Sequence, residues 1–481
     1  MPALIREPCS QSVIDAQDCP EEKGRLGPVA QRRWVLAACI LASSMAFIDG
    51  SALTVALPAL RDDLGASLST VQWVINSYVL SLAAFVLIGG AMADVYGKAR
   101  MLTIGCVAFG AASAWCALAG SSEMLIAARF AQGLAAAIVA PASLALIGAV
   151  YPKKDRNKAI GAWASASALT TAGGPLLGGW LTETLGWPAI FWLNPPLAMA
   201  AIAILLVVKP ADAREPRAFD IPGAAIMAVA LALAAWGLSA IGPSEAAGHE
   251  NAGLDISAEA VGAVLAGAAL IGVYLLWERR TDHPMTPPRL FANGSFATLN
   301  LATLCIYAAL SVIFFLMPFE LIDRRGLSAT AAGAAFLPFT LCVGFLSSPV
   351  GALADRVGAK AMLVAGSVAA GIAYVLFIVL RDADFAIGVL APMGVLGVAF
   401  AAMIGPLTAA VMSSVEARDE GLASGVSNAA SRIAQLFGVA LAAGLATLAG
   451  GFSIALSAAA LVSFLGAVVM LRGAPGETSS A

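Results

Sequence analysis

Three charged residues stand where an apolar chain would be expected to have none. Asp49, in Ala-Phe-Ile-Asp-Gly-Ser-Ala-Leu-Thr-Val-Ala-Leu-Pro, is the acid placed well inside an apolar run. Arg129, in Leu-Ile-Ala-Ala-Arg-Phe-Ala-Gln-Gly, and Arg432, three residues before Gln435, are the bases so placed. A carboxylate at bilayer depth costs roughly 2.5–3.5 kcal/mol on insertion scales, so a functional role is the default reading. At the helical rise, Asp49 lies about 13 Å and Arg129 about 8 Å from the same end of their helices. A long arginine can bridge that difference and reach either the acid or the backbone of the first helix. Two roles are then open: a permanent ion pair, or a carboxylate that binds and releases a proton while Arg129 biases its protonation. Arg432 also has two, hydrogen bonding to backbone carbonyls or contact with an anionic group of a substrate. Asn76, Tyr78 and Gln132, with Arg432 and Gln435, are candidates for lining a cavity, although polar residues also join helices to one another. Glu320, at the end of a run, is expected to be solvated.

A second constellation repeats. Gly90–Leu102 reads Gly-Ala-Met-Ala-Asp-Val-Tyr-Gly-Lys-Ala-Arg-Met-Leu, and 261 residues later Gly351–Leu363 reads Gly-Ala-Leu-Ala-Asp-Arg-Val-Gly-Ala-Lys-Ala-Met-Leu. Gly90 and Gly351 permit close helix approach, and Gly97 and Gly358 permit the positive φ of a tight turn. Asp94 and Asp355 can cap the following helix, leaving Lys98, Arg100, Arg356 and Lys360 at the membrane surface. As a latch, such charges pair across two structural halves in one state and part in another. Surface pairs are worth about 0–1 kcal/mol each, which suits a contact that must open.

A third stretch works through backbone: Gly161, then Gly173, Gly174, Pro175, Gly178 and Gly179. Glycines four apart let two helix backbones touch, and Pro175 bends its helix. Gly425–Gly438 echoes the stretch at an offset of 264, without the proline, and Pro141 and Pro406 are 265 apart. Arg129 and the Gly-Pro pair have no such echo. That asymmetry assigns the coupling chemistry to the first half.

The elements that must position these groups are membrane helices. The chain is 60% hydrophobic and 12% charged, against about 25% charged in soluble domains. Apolar runs of about 20 residues, without alternating strands, mean helical spans rather than a barrel. They fall at about 34–58, 71–92, 100–120, 124–150, 158–181, 187–208, 220–241, 257–277, 296–319, 329–353, 360–380, 385–412, 421–449 and 452–471, which makes fourteen. The expected fold is an all-α polytopic protein of two six-helix halves, 34–208 and 295–472, with two extra central helices and linkers at 209–294. Residues 1–33 and 473–481 are expected to be cytoplasmic tails. Of 27 Lys and Arg residues, 21 fall on the side holding the N-terminus and four on the other. Both termini are therefore expected in the cytoplasm. The acidic loop 242–256 is then external.

At this point a resemblance covers the whole span 34–472. The Asp49 stretch ending Ala-Leu-Pro, the loop at 90–102 with its echo, Arg129–Gln132–Gly133, and Gly161 with Gly173–Gly179 together resemble the major facilitator superfamily, specifically its fourteen-helix drug:proton antiporters. The resemblance implies two halves rocking about a central site, proton coupling at Asp49 and Arg129, and export marked by the glycine-rich fifth helix. Relatives often have Trp-Arg-Trp before the sixth helix, where this chain has Trp187-Pro188-Ala189 and then Asn194-Pro195-Pro196. Exporters of organic dications carry extra acids in later helices, and the tenth helix here has none before Asp355, which argues against multiply charged cations as substrates.

The leading expectation is proton-coupled export of small, largely apolar organic compounds by alternating access, as in multidrug efflux. The alternative is proton-coupled uptake of a specific metabolite on the same scaffold. An enzyme would need a nucleophile–base pair or metal ligands within the spans, yet His249 and His283 fall in loops and the cysteines show no metal spacing. No metal and no cofactor are expected, the proton gradient supplying the drive. A net charge of -3 with no basic domain argues against nucleic acid. The expected partners are the lipid bilayer, protons and a small-molecule substrate, and the chain is expected to act as a monomer in a bacterial-type inner membrane.

Overall fold

A bilayer offers no hydrogen-bond partner to a bare backbone, so each long apolar run closes its own bonds as a helix. The computed structural model describes residues 29–210, 220–240, 257–281, 284, 286, 288–415, 420–446, 448 and 450–473. In chain order the long helices are α1 (Val29–Asp63), α2 (Leu68–Tyr96), α3 (Lys98–Ala117), α4 (Ser122–Val150), α5 (Lys153–Leu185), α6 (Asn194–Val208), α7 (Ile221–Ser239) and α8 (Ala258–Glu278). They continue with α9 (Gly294–Phe319), α10 (Leu337–Val357), α11 (Ala359–Val379), α12 (Ala391–Ser413), α13 (Glu420–Ala446) and α14 (Gly451–Gly473). Short helices at Pro188–Trp192 and Ala329–Ala334 lead into α6 and α10, and π turns at Glu320–Arg324 and Ala386–Leu390 flank α9 and α12.

Among the described residues thirteen helices are long and apolar enough by themselves to cross a membrane. The fourteenth expected span is α5, which is 33 residues long but diluted with Gly, Ser and Thr. It gains its setting by packing along α1. Residues 1–28, 211–219, 241–256 and 474–481 lie outside the described residues, and with them most of the expected tails and the acidic loop. The same holds for Cys9, Cys19, His249 and His283.

Packing separates two groups. Helices α1–α6 pack on one another, chiefly α2 on α4, α1 on α5 and α6, and α3 on α4 and α6. Helices α9–α14 do likewise, chiefly α9 on α13 and α14, α11 on α12 and α14, and α10 on α12. The pair α7–α8 packs together, and α7 lies against both α2 and α13, at the seam between the groups. The groups meet where α2 touches α13 and α1 touches α9, and where α5 meets the Ala329–Ala334 helix and α10.

The repeat is visible at single residues. One glycine joins α2 to α3 and another joins α10 to α11: Gly97 at φ 101° and Gly358 at φ 94°. Those angles strain any residue with a Cβ. Each glycine amide still donates to the helix it ends, Gly97 to the Ala93 carbonyl (3.1 Å) and Gly358 to the Ala354 carbonyl (2.9 Å). A second correspondence lies between helices. A Cβ on Gly174 would fall on Ser51 Oγ across α5 and α1, and a Cβ on Gly438 would fall on Ser311 Oγ across α13 and α9.

Candidate functional site

Helices α1, α3, α4 and α6 converge on one sealed polar cluster. Asp49 of α1 is fully buried and Arg129 of α4 is 1% exposed. Arg129 Nη1 is ion-paired with Asp49 Oδ2. Its Nε donates to the Val74 carbonyl of α2 (3.1 Å), and its guanidinium lies over the Tyr78 ring, 4.3 Å from the centroid. Gln132, one turn beyond Arg129, accepts from Arg129 Nη1 and donates from Nε2 to Asp49 Oδ1 (2.9 Å) and Ser113 Oγ (2.6 Å). Asn194, at the start of α6, donates to Asp49 Oδ1 (3.3 Å) and to Ser113 Oγ (3.1 Å). A buried charge is tolerated when it is paired and its remaining lone pairs are occupied. Both carboxylate oxygens of Asp49 are occupied here.

Beside this cluster, between the two helix groups, is a cavity of about 1250 Å³, above the roughly 300–1,000 Å³ usual for drug-sized sites. It reaches the end bearing the glycine turns at Asp94, Asp220 and Arg289, and stops at the level of Thr54 and Phe315. Its middle is lined by Phe47, Tyr78, Trp163, Tyr307, Phe314 and Arg432. Gly50, Ser51 and Arg129 also lie on the wall, so Asp49 stands one layer behind it. Arg432 Nη1 donates to Gln435 Oε1 (3.1 Å), and Gln435 lines the cavity as well.

Of the expected cavity residues, Tyr78, Arg432 and Gln435 take that place. Asn76 and Gln132 do not. Both are fully buried; Gln132 is spent on the Asp49 cluster, and neither amide atom of Asn76 has a hydrogen-bond partner. The reason is helical phase. Val74 and Tyr78, four apart, face Arg129, which turns the side chain between them away. Gln72, one turn before Asn76, is buried and unpartnered in the same way.

The glycines of α5 divide by neighbour. A Cβ on Gly178 would strike the Ala52 backbone, one on Gly174 would strike Ser51, and one on Gly179 would strike the backbone of Ala329 and Thr330. Pro175, which also lines the cavity, presents its carbonyl to Gly333. Gly161 and Gly173 face open space. Thus α5 touches α1 with one face, beside Asp49, and the second helix group with the other.

In the repeated loop, Asp94 does not cap α3; its N-terminus has no side-chain cap. Asp94 instead pairs with Lys98, one turn on (3.2 Å). A one-residue junction leaves no room for the extended residue that a side-chain cap needs. Gly90 lies against Pro141, Arg100 and Arg356 are exposed, and Lys360 is half-buried. Gly351 falls within α10, and the Asp355 side chain lies outside what is described.

A charge pair joining the two groups lies at the opposite end. Arg61, near the end of α1, meets Asp323 after α9 (3.0 Å) and stacks over Phe319. Glu183 of α5 accepts from the Thr330 amide (3.1 Å). Close by, Glu320 is not solvated but 7% exposed: Arg381 grips it twice (2.9 and 2.7 Å) and Arg324 once (2.6 Å). Its partner Arg381 is 61 residues away, a distance no local pattern reports. Asn194 and Ser113 were also missed; Asn194-Pro-Pro reads as a turn, and nothing marks Ser113 among the many serines. Among the described residues no cluster of three His, Cys, Asp or Glu could hold a metal ion.

The comparisons with known proteins point one way. The sequence profile of the Major Facilitator Superfamily matches residues 39–299 and 299–481. The chain is 32% identical over 400 residues to the multidrug resistance protein Stp of Mycobacterium tuberculosis, covering 82% of this chain and 72% of that one. It is 29% identical over 416 residues to the tetracenomycin C resistance and export protein of Streptomyces glaucescens, covering 85% and 75%. In fold it is similar to the peptide transporter POT crystallised with sulfate, at a TM-score of 0.69 with 14% identity, covering 96% and 98%. With a profile running through both copies of the glycine turn and its neighbouring helices, the conclusion is direct: the chain belongs to the Major Facilitator Superfamily.

Proposed function

We propose that the chain exports small, largely apolar organic compounds across a bacterial inner membrane in exchange for protons, by alternating access between its two helix groups. Relatives named for resistance and export support the direction. The excess of Lys and Arg on the N-terminal side supports cytoplasmic termini. On that orientation the cavity is open to the cytoplasm, and the Arg61–Asp323 and Glu183–Thr330 contacts close the outside. The chain works alone and needs no cofactor.

The observation that carries the reading is the Asp49 cluster: a carboxylate fully buried, bound by Arg129, Gln132 and Asn194 from two other helices, one layer behind the cavity. A proton delivered to Asp49 removes the charge that balances Arg129. Breaking a buried pair leaves its partner uncompensated, at about 3–5 kcal/mol, so α1 and α4 must move before Arg129 is satisfied again. α5 is seated on α1 through Gly174 and Gly178 and on the second group through Gly179. Motion of α1 therefore reaches the seam between the groups.

The test uses the purified chain in proteoliposomes with an imposed pH gradient and ethidium-free apolar dye export as readout. Asp49→Asn keeps the size and one accepting oxygen but cannot take up or release a proton. Gradient-driven export is expected to vanish while the protein still elutes as a folded species. Exchange of protons for dye at the wild-type rate would refute the assignment.

A further inference from the structure

Arg432 stands on the cavity wall at mid-span without the kind of carboxylate partner that Arg129 has in Asp49. It sits 12 residues into α13 and 14 from its end, about 18 Å and 21 Å along the helix, the middle of the span. Its hydrogen-bond partner is a neutral amide, Gln435, and among the described residues no carboxylate is paired with it. The acids on the same wall are both at the cytoplasmic mouth and both engaged. Asp94 pairs with Lys98; Asp220 accepts from the Gly223 amide and from Trp277 Nε1. Asp49 is off the wall and satisfied by Arg129. At mid-membrane the cavity therefore presents one guanidinium without a counter-charge.

A cation held at that depth is costly and is retained where it does work. A guanidinium offers five donors in a planar fork that matches a carboxylate or sulfonate. Gln435 occupies one of them and leaves its own amide NH2 to donate alongside. Tyr307 and Phe314 of α9 and Tyr78 of α2 line the same cavity, so it offers aromatic faces as well as the charge.

We propose that Arg432 and Gln435 form an anion subsite within the export cavity, and that the preferred cargo is an aromatic compound bearing one ionised acidic group. The inference rests on reading this cavity as the substrate site. An anion gains the charge-assisted hydrogen bonds of Arg432. A neutral analogue gains the aromatic wall alone. A cation meets the same wall and an unscreened like charge. The order of preference is anion, neutral, cation.

The experiment measures equilibrium binding to the full-length chain in lipid nanodiscs with three probes sharing one fluorophore: dansylglycine, its methyl ester and dansylcadaverine, which are anionic, neutral and cationic. Wild type is expected to bind dansylglycine at least tenfold more tightly than the ester, and dansylcadaverine most weakly. Arg432→Gln is expected to abolish the preference for the carboxylate and leave the ester's affinity unchanged, which also reports that the cavity is intact. Arg432→Lys, which keeps the charge but loses the fork, is expected to retain part of the preference. The proposal is overturned if wild type fails to favour dansylglycine, whether because neither probe binds or because both bind alike. It is also overturned if Arg432→Gln weakens all three equally. Because no proton gradient is used, failure here leaves the Asp49 assignment standing, and loss of that assignment leaves this one standing.

Discussion

Arg129 and Arg432 lie inside spans of opposite helix groups, and the protein treats them in opposite ways. Arg129 is 1% exposed, and its guanidinium meets a carboxylate, a carbonyl, an amide oxygen and an aromatic face. Arg432 is half-buried, faces the cavity and has one neutral partner. The first is a circuit closed by the protein's own groups. The second is an open position that a ligand can complete. Equal chemistry at similar cost of insertion is thus satisfied by protein groups in one helix group and left facing the cavity in the other.

The largest effect should come from opening the closed circuit on one side. Arg129→Gln strands Asp49 and is expected to destabilise the protein by about 3–5 kcal/mol, while the double variant Asp49→Asn/Arg129→Gln recovers much of that loss. Thermal unfolding in detergent measures both. Arg432→Gln has no stranded partner, and its cost should stay within about 1 kcal/mol. A loss at Arg432 as large as that at Arg129 would erase the distinction between the two sites.

The contrast also marks what could be read before any coordinates. Hydropathy alone located the long helices, because a span must satisfy its backbone internally, and the 261-residue echo located the paired glycine turns. The Asp49–Arg129 meeting followed from depth along two helices. What escaped was decided by helical phase and by distant chain. Asn76 and Gln132 are as polar as Tyr78, but rotation about the helix axis sent them into protein. Ser113 and Asn194 entered the cluster only because α3 and α6 pack beside α4 and α1. Glu320 lost its solvent to an arginine from beyond α11. Asp94 turned to Lys98 because its glycine junction left no capping position.

A middle-sized effect tests whether α5 carries motion from the cluster to the seam. Gly178→Ala places a Cβ on the Ala52 backbone, and neither side can yield without moving a helix. Such overpacking costs about 1–3 kcal/mol. Gly161→Ala, in the same helix but facing open space, should instead be neutral or stabilising by about 0.5–1 kcal/mol, since alanine favours a helix over glycine. Thermal unfolding and gradient-driven export should fall together for Gly178→Ala and be maintained for Gly161→Ala. Equal behaviour of the two would mean that close approach of α5 to α1 is not what the glycines are for.

The smallest effect concerns the end of the molecule where the groups touch. Arg61 and Asp323 are about one-third exposed, 31% and 34%, so solvent screens most of their attraction and the pair is worth about 0–1 kcal/mol. That is too little to matter for folding. It is enough to matter for a balance between two conformations, because about 1 kcal/mol changes a population ratio roughly fivefold. Asp323→Asn should leave unfolding unchanged and shift the protein toward the conformation opened at the Arg61 end. Labelling of a single cysteine introduced at Thr54, under the closed end of the cavity, would report the shift as faster reaction with an impermeant thiol reagent. Unchanged labelling would mean that the helix contacts of α5 with the Ala329–Ala334 segment hold that end shut without help from charge.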